Sequence, residues 1–183
     1  MNGFGTDVVA AYSTGNRVHS FAVLFFLNMS NAFAVYAGQN LGAKKIRRTE
    51  EGFKKVALLI LGLSIVAAVL IFLFGEQFVR IFISSSDAQA DSVIKIASGM
   101  LRITSFFYPF QGLIWLYNNT MRGMGEVRIP LLSGIIELTS KVGLSIILAG
   151  IFGYIGIWYA GPIGWAVGML PSFIRFHSGK WKE

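Results

Sequence analysis

The chain alternates long apolar segments with short polar connections. The purest apolar segment, residues 56–75, contains no charged residue. About 20 apolar residues in a helix cross a bilayer core roughly 30 Å thick, so this segment predicts a membrane-spanning helix. Four further segments have the same character, although Pro162 and Pro171 should bend the last one. The pattern predicts an all-α, polytopic membrane helix bundle with about five spans, at residues 8–42, 56–75, 93–121, 129–150 and 154–176.

The composition supports lipid as the surrounding medium. Hydrophobic residues make up 54% of the 183 positions, and charged residues make up 14%. A soluble domain carries about 25% charged residues, so this chain has too few of them to cover a water-exposed surface. We therefore expect membrane lipids to be the main partners of its outer surface.

Several classes of function are excluded by residues that the sequence lacks. The chain has no cysteine, no HExxH sequence and only two histidines, His19 and His177. Disulfides, a catalytic thiolate and a zinc hydrolase are therefore excluded. The net charge of +7 comes from cations at the ends of apolar segments and not from a water-exposed basic patch, so we expect no nucleic-acid partner. We expect neither an enzyme nor a bound cofactor.

The positive charges alternate between the connections. The first connection has four cations within residues 44–48, the third has Arg122 and Arg128, and the tail has Arg175, Lys180 and Lys182, whereas the connection near residues 150–156 is uncharged. Basic connections stay on the cytoplasmic side. The pattern predicts a multi-pass protein of the cytoplasmic (inner) membrane, with its C-terminus in the cytoplasm.

One face of the first span is polar. Residues at three- and four-residue spacing share a helix face, and the set at this spacing is Ser13, Arg17, Ser20, Leu24, Asn28, Asn31, Val35 and Gln39. This face either lines a water-filled cavity or supplies amides that hydrogen-bond to neighbouring helices. The sequence leaves both possibilities open.

Three charged residues lie well inside predicted spans. Glu137 and Lys141 are four residues apart and share a helix face. At about 1.5 Å per residue, Arg102 in the preceding span lies at a similar depth. Isolated charges are unfavourable there, so we expect the three to form a buried cluster. The cluster is either a structural ion pair or a site where Glu137 exchanges protons or contacts a cationic substrate.

Four sequence motifs resemble a known family. The segments GTDVVAAYSTGNRV, GQNLGAKKIRR, MRGMGEVRIP and IIELTSK, in this order and spacing, are similar to the second half of multidrug and toxic compound extrusion (MATE) transporters of the bacterial NorM-like branch. The resemblance implies two six-helix lobes around a central cavity. It further implies export of cationic or amphipathic drugs in exchange for Na⁺ or H⁺. The five spans then match the last five of twelve helices, and residues 1–183 form a partial C-terminal lobe.

The resemblance also implies a set of cavity residues. Asn28, Asn31 and Gln39 would line the cavity, with Tyr108, Gln111 and Trp115 on the next wall. The match to the family's tenth helix has no acidic residue, so the coupling carboxylates of the family cannot be transferred to this chain. We expect the chain to need an N-terminal lobe, or a second copy of itself, for transport.

Two other functions remain open from the sequence. A lipid-linked oligosaccharide flippase of the same superfamily would use cations facing the cavity, and Arg17, Arg102 and Lys141 are candidates. A non-transporting membrane scaffold or subunit is the second alternative.

Overall fold

The computed structural model describes residues 2–83 and 89–182 as a bundle of helices, and within these ranges no β-strand occurs. Three of the described helices, Thr6–Gly42 (α1), Ile46–Arg80 (α2) and Arg128–Phe152 (α5), are long and apolar enough to cross a membrane. The six α-helices are α1 (Thr6–Gly42), α2 (Ile46–Arg80), α3 (Ala90–Ser105), α4 (Tyr108–Gly123), α5 (Arg128–Phe152) and α6 (Tyr154–His177). Short 3₁₀ helices at Asn2–Phe4 and Lys180–Lys182 flank them.

The segment predicted as one span at residues 93–121 is two helices of 16 residues each. Phe106 and Phe107 separate α3 from α4. Pro109 is the second residue of α4, where its missing N–H breaks no hydrogen bond. In one continuous helix the same proline would lose a hydrogen bond and clash with the preceding turn. The span is therefore broken, and residues 2–83 and 89–182 form six α-helices instead of the expected five.

The first connection is a tight turn. Lys44 adopts a left-handed conformation with a φ of 57°, and α2 begins two residues later. Arg47 Nε donates to Glu51 Oε1 at 2.7 Å on the exposed first turns of α2. This hydrogen bond lowers the pKa of the Glu51 carboxyl below its ordinary value. The basic residues of this connection lie on the helix ends, outside the apolar part of α2.

Helices α1 and α4 approach each other closely near their C-terminal ends. A Cβ on Gly123 would lie 2.1 Å from the carbonyl oxygen of Ala34, and one on Gly38 would lie 2.4 Å from the carbonyl oxygen of Gly123. Only glycine permits this backbone contact. The largest buried side chains, among them Phe26, Leu101 and Tyr108, fill the space between α1, α3 and α4.

Helix α5 packs against α6 and leaves most of its surface uncovered. Within it only Pro130 and Ser133 are buried, and Ser133 Oγ donates to the Gly168 carbonyl oxygen at 2.5 Å. Its exposed apolar residues include Leu131, Ile135, Leu138, Val142, Ile146 and Ile147. Such a surface is stable against lipid or against another apolar helix, not against water.

Candidate functional site

The polar face of α1 is uncovered along its whole length. All eight of its residues are exposed, and we call this surface the polar wall: Ser13, Arg17, Ser20, Leu24, Asn28, Asn31, Val35 and Gln39. The opposite face carries the buried residues of α1, including Phe26, Phe33 and Ala37. The other helices of the chain therefore pack on the apolar side of α1 and leave the polar wall open.

The two asparagines of the polar wall have different environments. Asn28 Nδ2 donates to the Leu24 carbonyl oxygen at 2.9 Å, within its own helix. Asn31 Oδ1 accepts a hydrogen bond of 2.8 Å from Asn119 Nδ2 on α4. Asn31 thus connects two helices, whereas the hydrogen bond of Asn28 stays within α1.

Asn119 forms a polar junction between α1 and α4. It also donates to Ser30 Oγ at 3.0 Å, and its own Oδ1 accepts from Arg122 at 3.2 Å. The neighbouring Asn118 accepts a hydrogen bond of 2.5 Å from Ser172 on α6. Both asparagines are buried. Neither residue is among the site residues predicted from the sequence, although two adjacent amides in an apolar segment are a signal, because intramembrane amides need partners.

A second polar group lies inside the bundle around His19. His19 Nδ1 is 3.2 Å from the Tyr108 hydroxyl oxygen, and His19 Nε2 is 3.3 Å from Gln111 Nε2. The ring of Trp165 on α6 stacks on the imidazole at a centroid distance of 5.8 Å. The group joins α1, α4 and α6.

The structure places the predicted second wall of the cavity in the interior. Tyr108 is fully buried and Gln111 is 5% exposed, so both face His19 and not an open surface. Trp115 is half-buried against the hydrophobic core. The physical reason is that a hydroxyl and an amide in an apolar segment are stabilised by pairing with the imidazole. His19 was missed from the sequence, since a single histidine gives no spacing pattern.

The three charged residues expected to cluster do not meet. Arg102 lies 3.5 Å from Glu76 Oε1 on α2, with its guanidinium over the Phe72 ring. Glu137 is half-buried on α5, and Lys141 is exposed. Within residues 2–83 and 89–182, neither of them forms an ion pair. A similar depth in the membrane does not make neighbours, because α3 packs mainly on α1 and α2 whereas α5 packs on α6.

Two cavities are lined in part by residues of α1 outside the polar wall. An apolar groove of about 510 Å³ lies between α1 and α2 and is lined by residues that include Phe21, Phe25 and Phe82. A smaller cavity of about 60 Å³ lies between α1, α3, α5 and α6, with Lys141 and His19 in its lining. No cluster of histidine and carboxylate side chains suited to a metal ion occurs in the part of the chain that the structure describes.

Ion pairs and aromatic rings hold the end of the bundle that contains the chain's C-terminus. The guanidinium of Arg175 on α6 binds the Glu126 carboxylate, with Nε donating to Oε1 at 2.7 Å. Lys182 Nζ lies 2.5 Å from Glu50 Oε1 at the start of α2. Trp181 is buried and its indole donates to the Phe176 carbonyl oxygen at 2.7 Å. These contacts join α2, α6 and the segment between α4 and α5.

Known proteins align with this chain over all or nearly all of its length. It is 24% identical to "Probable multidrug resistance protein YoeA" of Bacillus subtilis, in an alignment that covers 100% of this chain and 39% of the relative. It is 25% identical to "Probable multidrug resistance protein NorM" of Deinococcus radiodurans, over 96% of this chain and 40% of that protein. The chain thus spans about 40% of the length of these relatives.

Solved structures have the same fold. A chain described as the inward-facing conformation of a multidrug resistance MATE family transporter of the MOP superfamily matches with a TM-score of 0.83, at 19% identity, over 94% of this chain and 40% of that one. An outward-facing conformation with the same description matches with a TM-score of 0.84, at 21% identity, over 95% and 39%.

The family model named MatE matches residues 1–147, which is most of the chain. The sequence match, the helical fold and the membrane-length helices agree with one another, as the resemblance of the four motifs predicted. The chain is a membrane-embedded member of the MatE family of transporters, similar to NorM-type multidrug resistance proteins.

Proposed function

We propose that this chain forms one lobe of an exporter of cationic or amphipathic drugs, with the polar wall lining the transport cavity. The observation that carries the proposal is the exposure of all eight polar-wall residues on a helix that is long and apolar enough to span a membrane. Arg17 and the amides Asn28 and Gln39 would be costly against lipid. A water-filled cavity is the environment that suits them.

A cavity needs a second side. The described part of the chain buries the apolar face of α1 and leaves the polar wall open, so the opposite wall must come from an N-terminal lobe or from a second copy. Either arrangement would enclose a passage that drugs with apolar rings and a positive charge could enter. Relatives named as multidrug resistance proteins support this substrate class.

Transport by such a pair would proceed by movement of one lobe against the other. The fold matches chains in the inward-facing and the outward-facing conformation equally well, which supports a lobe that moves as a unit. The Asn119 junction and the Glu126–Arg175 ion pair would hold its helices together during the movement. Exchange for Na⁺ or H⁺ would drive export.

The orientation in the cytoplasmic membrane is part of the proposal. The cations at residues 44–48 and the ion-paired residues Arg175 and Lys182 belong to the same end of the bundle. Because positively charged connections remain in the cytoplasm, this end and the C-terminus would lie there.

The flippase alternative has less support from the geometry. It requires several cations on the cavity surface, and Arg17 lies on the polar wall. Arg102, however, pairs with Glu76 on α2, and Lys141 lines the small cavity. One cation is a weak site for a pyrophosphate-linked lipid, which normally needs several.

The experiment replaces the matching part of YoeA with this chain and measures ethidium export from efflux-deficient cells. We expect the chimera to export ethidium and the chain alone to export none. Leucine at both Asn28 and Gln39 should abolish export, whereas the control Ser178→Ala, outside the polar wall, should retain it. Export that is insensitive to the leucine substitutions would contradict the assignment of the polar wall.

A further inference from the structure

The small cavity between α1, α3, α5 and α6 has a lining suited to negative charge. Among the described residues that line it, Lys141 is the one with a permanent charge, and none is acidic. Tyr12 and Asn16 on α1 add a hydroxyl and an amide. All of these side chains can donate hydrogen bonds. A cation would be repelled by Lys141, so the electrostatics favour an anion.

The volume of the cavity limits the size of its occupant. The cavity measures about 60 Å³, and one buried water needs about 10–15 Å³ on this measure. Drug-sized ligands occupy sites of about 300–1,000 Å³. The cavity therefore accommodates a small ion together with a water molecule, and it is too small for an exported drug.

Lys141 extends along α6 toward the cavity. A Cβ on Gly164 would lie 3.3 Å from Lys141 Cβ, and a Cβ on Gly161 would lie 4.0 Å from Lys141 Cε. The side chain thus runs over the glycine-lined surface of α6 in the direction of Trp158. It has no ion-pair partner in residues 2–83 and 89–182. A lysine ammonium inside a span is unfavourable without a counter-charge.

Trp158 supplies a second, independent indication of a ligand. Its side chain lines the cavity and is 6% exposed. Its indole Nε1–H is buried and has no hydrogen-bond acceptor among the residues that the structure describes. A buried donor without an acceptor is destabilising, so a bound species that accepts a hydrogen bond would stabilise this arrangement.

We propose that this cavity binds a small monovalent anion of the size of chloride, held between the Lys141 ammonium and the Trp158 indole N–H. The anion would neutralise the charge of Lys141 inside the span and accept the hydrogen bond of Trp158. Binding would connect α5 and α6 to α1 and stabilise the folded lobe by mass action. The site goes beyond drug export and does not depend on it.

The test uses the purified full chain in detergent, without transport. Choline gluconate is exchanged for choline chloride at constant ionic strength and pH, and binding is followed by tryptophan fluorescence and by equilibrium dialysis with radioactive chloride. We expect a saturable signal and a rise in the unfolding temperature with chloride. Lys141→Met should weaken binding by about tenfold or more, because it removes the charge that attracts the anion.

Matched variants separate the site from general effects of charge. Lys95→Met removes an exposed lysine of α3 and should bind chloride like the original chain. Trp158→Phe should weaken binding, and Lys141→Arg, which retains the charge, should preserve it even if Lys141→Met folds poorly. The proposal is overturned if the original chain binds no chloride, because water alone would then accept the hydrogen bond of the Trp158 indole. It is also overturned if Lys141→Met binds chloride as tightly as the original chain. Loss of drug export with chloride binding intact would contradict only the proposed function.

Discussion

Asn119 Nδ2 on α4 lies 2.8 Å from Asn31 Oδ1 on α1, a hydrogen bond between residues 88 positions apart. This hydrogen bond distinguishes Asn31 from Asn28, the other asparagine of the polar wall. Asn31 connects α1 to α4, as expected of an amide that pairs helices in a membrane. Asn28 is exposed and, among the residues that the structure describes, bonds only within its own helix, which suits a residue that contacts a substrate or water. Asn31 thus pairs two helices, and the cavity role that we propose for the polar wall falls to Asn28.

This difference predicts opposite effects of two substitutions. Asn119→Leu removes the hydrogen bonds to Ser30 and Asn31 that join α4 to α1 and places an apolar side chain against the buried Ser30 hydroxyl, so the free energy of unfolding should fall by about 1–3 kcal/mol. Asn28→Leu should change it by less than about 0.5 kcal/mol. Titration of the two variants with a denaturing detergent measures both values.

Export provides the complementary measurement for the same pair. In the YoeA chimera, Asn28→Leu should reduce ethidium export at an unchanged amount of folded protein. A loss of stability in Asn28→Leu equal to that in Asn119→Leu would show that Asn28 also supports the fold.

The close contact of α1 with α4 predicts a second matched pair. Alanine at Gly123 would place its Cβ 2.1 Å from the Ala34 carbonyl oxygen, so the helices must separate, at a cost of about 1–3 kcal/mol. Alanine at Gly143, on the uncovered surface of α5, meets no atom within 4 Å. Gly143→Ala should be neutral or slightly stabilising because alanine favours the helix. Thermal unfolding of both variants measures the difference, and equal unfolding temperatures would contradict the contact.

Apart from the break at Phe106 and Phe107, which divides one predicted span into α3 and α4, the sequence predicts the features that belong to single helices. Hydropathy identifies the apolar segments, and the three- and four-residue spacing places the polar wall on one exposed face of α1. Features that depend on which helices are neighbours are not available from these patterns. Arg102 was expected near Glu137 because their depths agree, but its partner is Glu76 on α2. The contacts of His19 with Tyr108 and Gln111 depend equally on packing.

The ion pair of Glu126 with Arg175 predicts an energetic coupling across the bundle. Both side chains are about one-quarter exposed, so solvent screens the attraction between the two charges only in part. A double-mutant cycle with Glu126→Gln and Arg175→Gln should give a coupling of about 1 kcal/mol, decreasing with added salt. The cycle of Arg47→Gln with Glu51→Gln is the control, since these side chains are more exposed, at 89% and 54%, and should show a smaller coupling. Equal coupling in both cycles would contradict a role for burial.

The absence of cysteine from the sequence allows a direct test of orientation. Gly150→Cys places a thiol at an exposed position near the end of α5, where a side chain at residue 150 meets no atom within 4 Å. Lys180→Cys places one in the C-terminal 3₁₀ helix. A membrane-impermeant maleimide added to intact cells should label the chain with Gly150→Cys and should leave the chain with Lys180→Cys unlabelled until the cells are opened. The positive-inside rule gives this direction. Labelling of Lys180→Cys from outside intact cells would show that the chain has the opposite orientation. The basic connection at residues 44–48 would then lie on the outer surface.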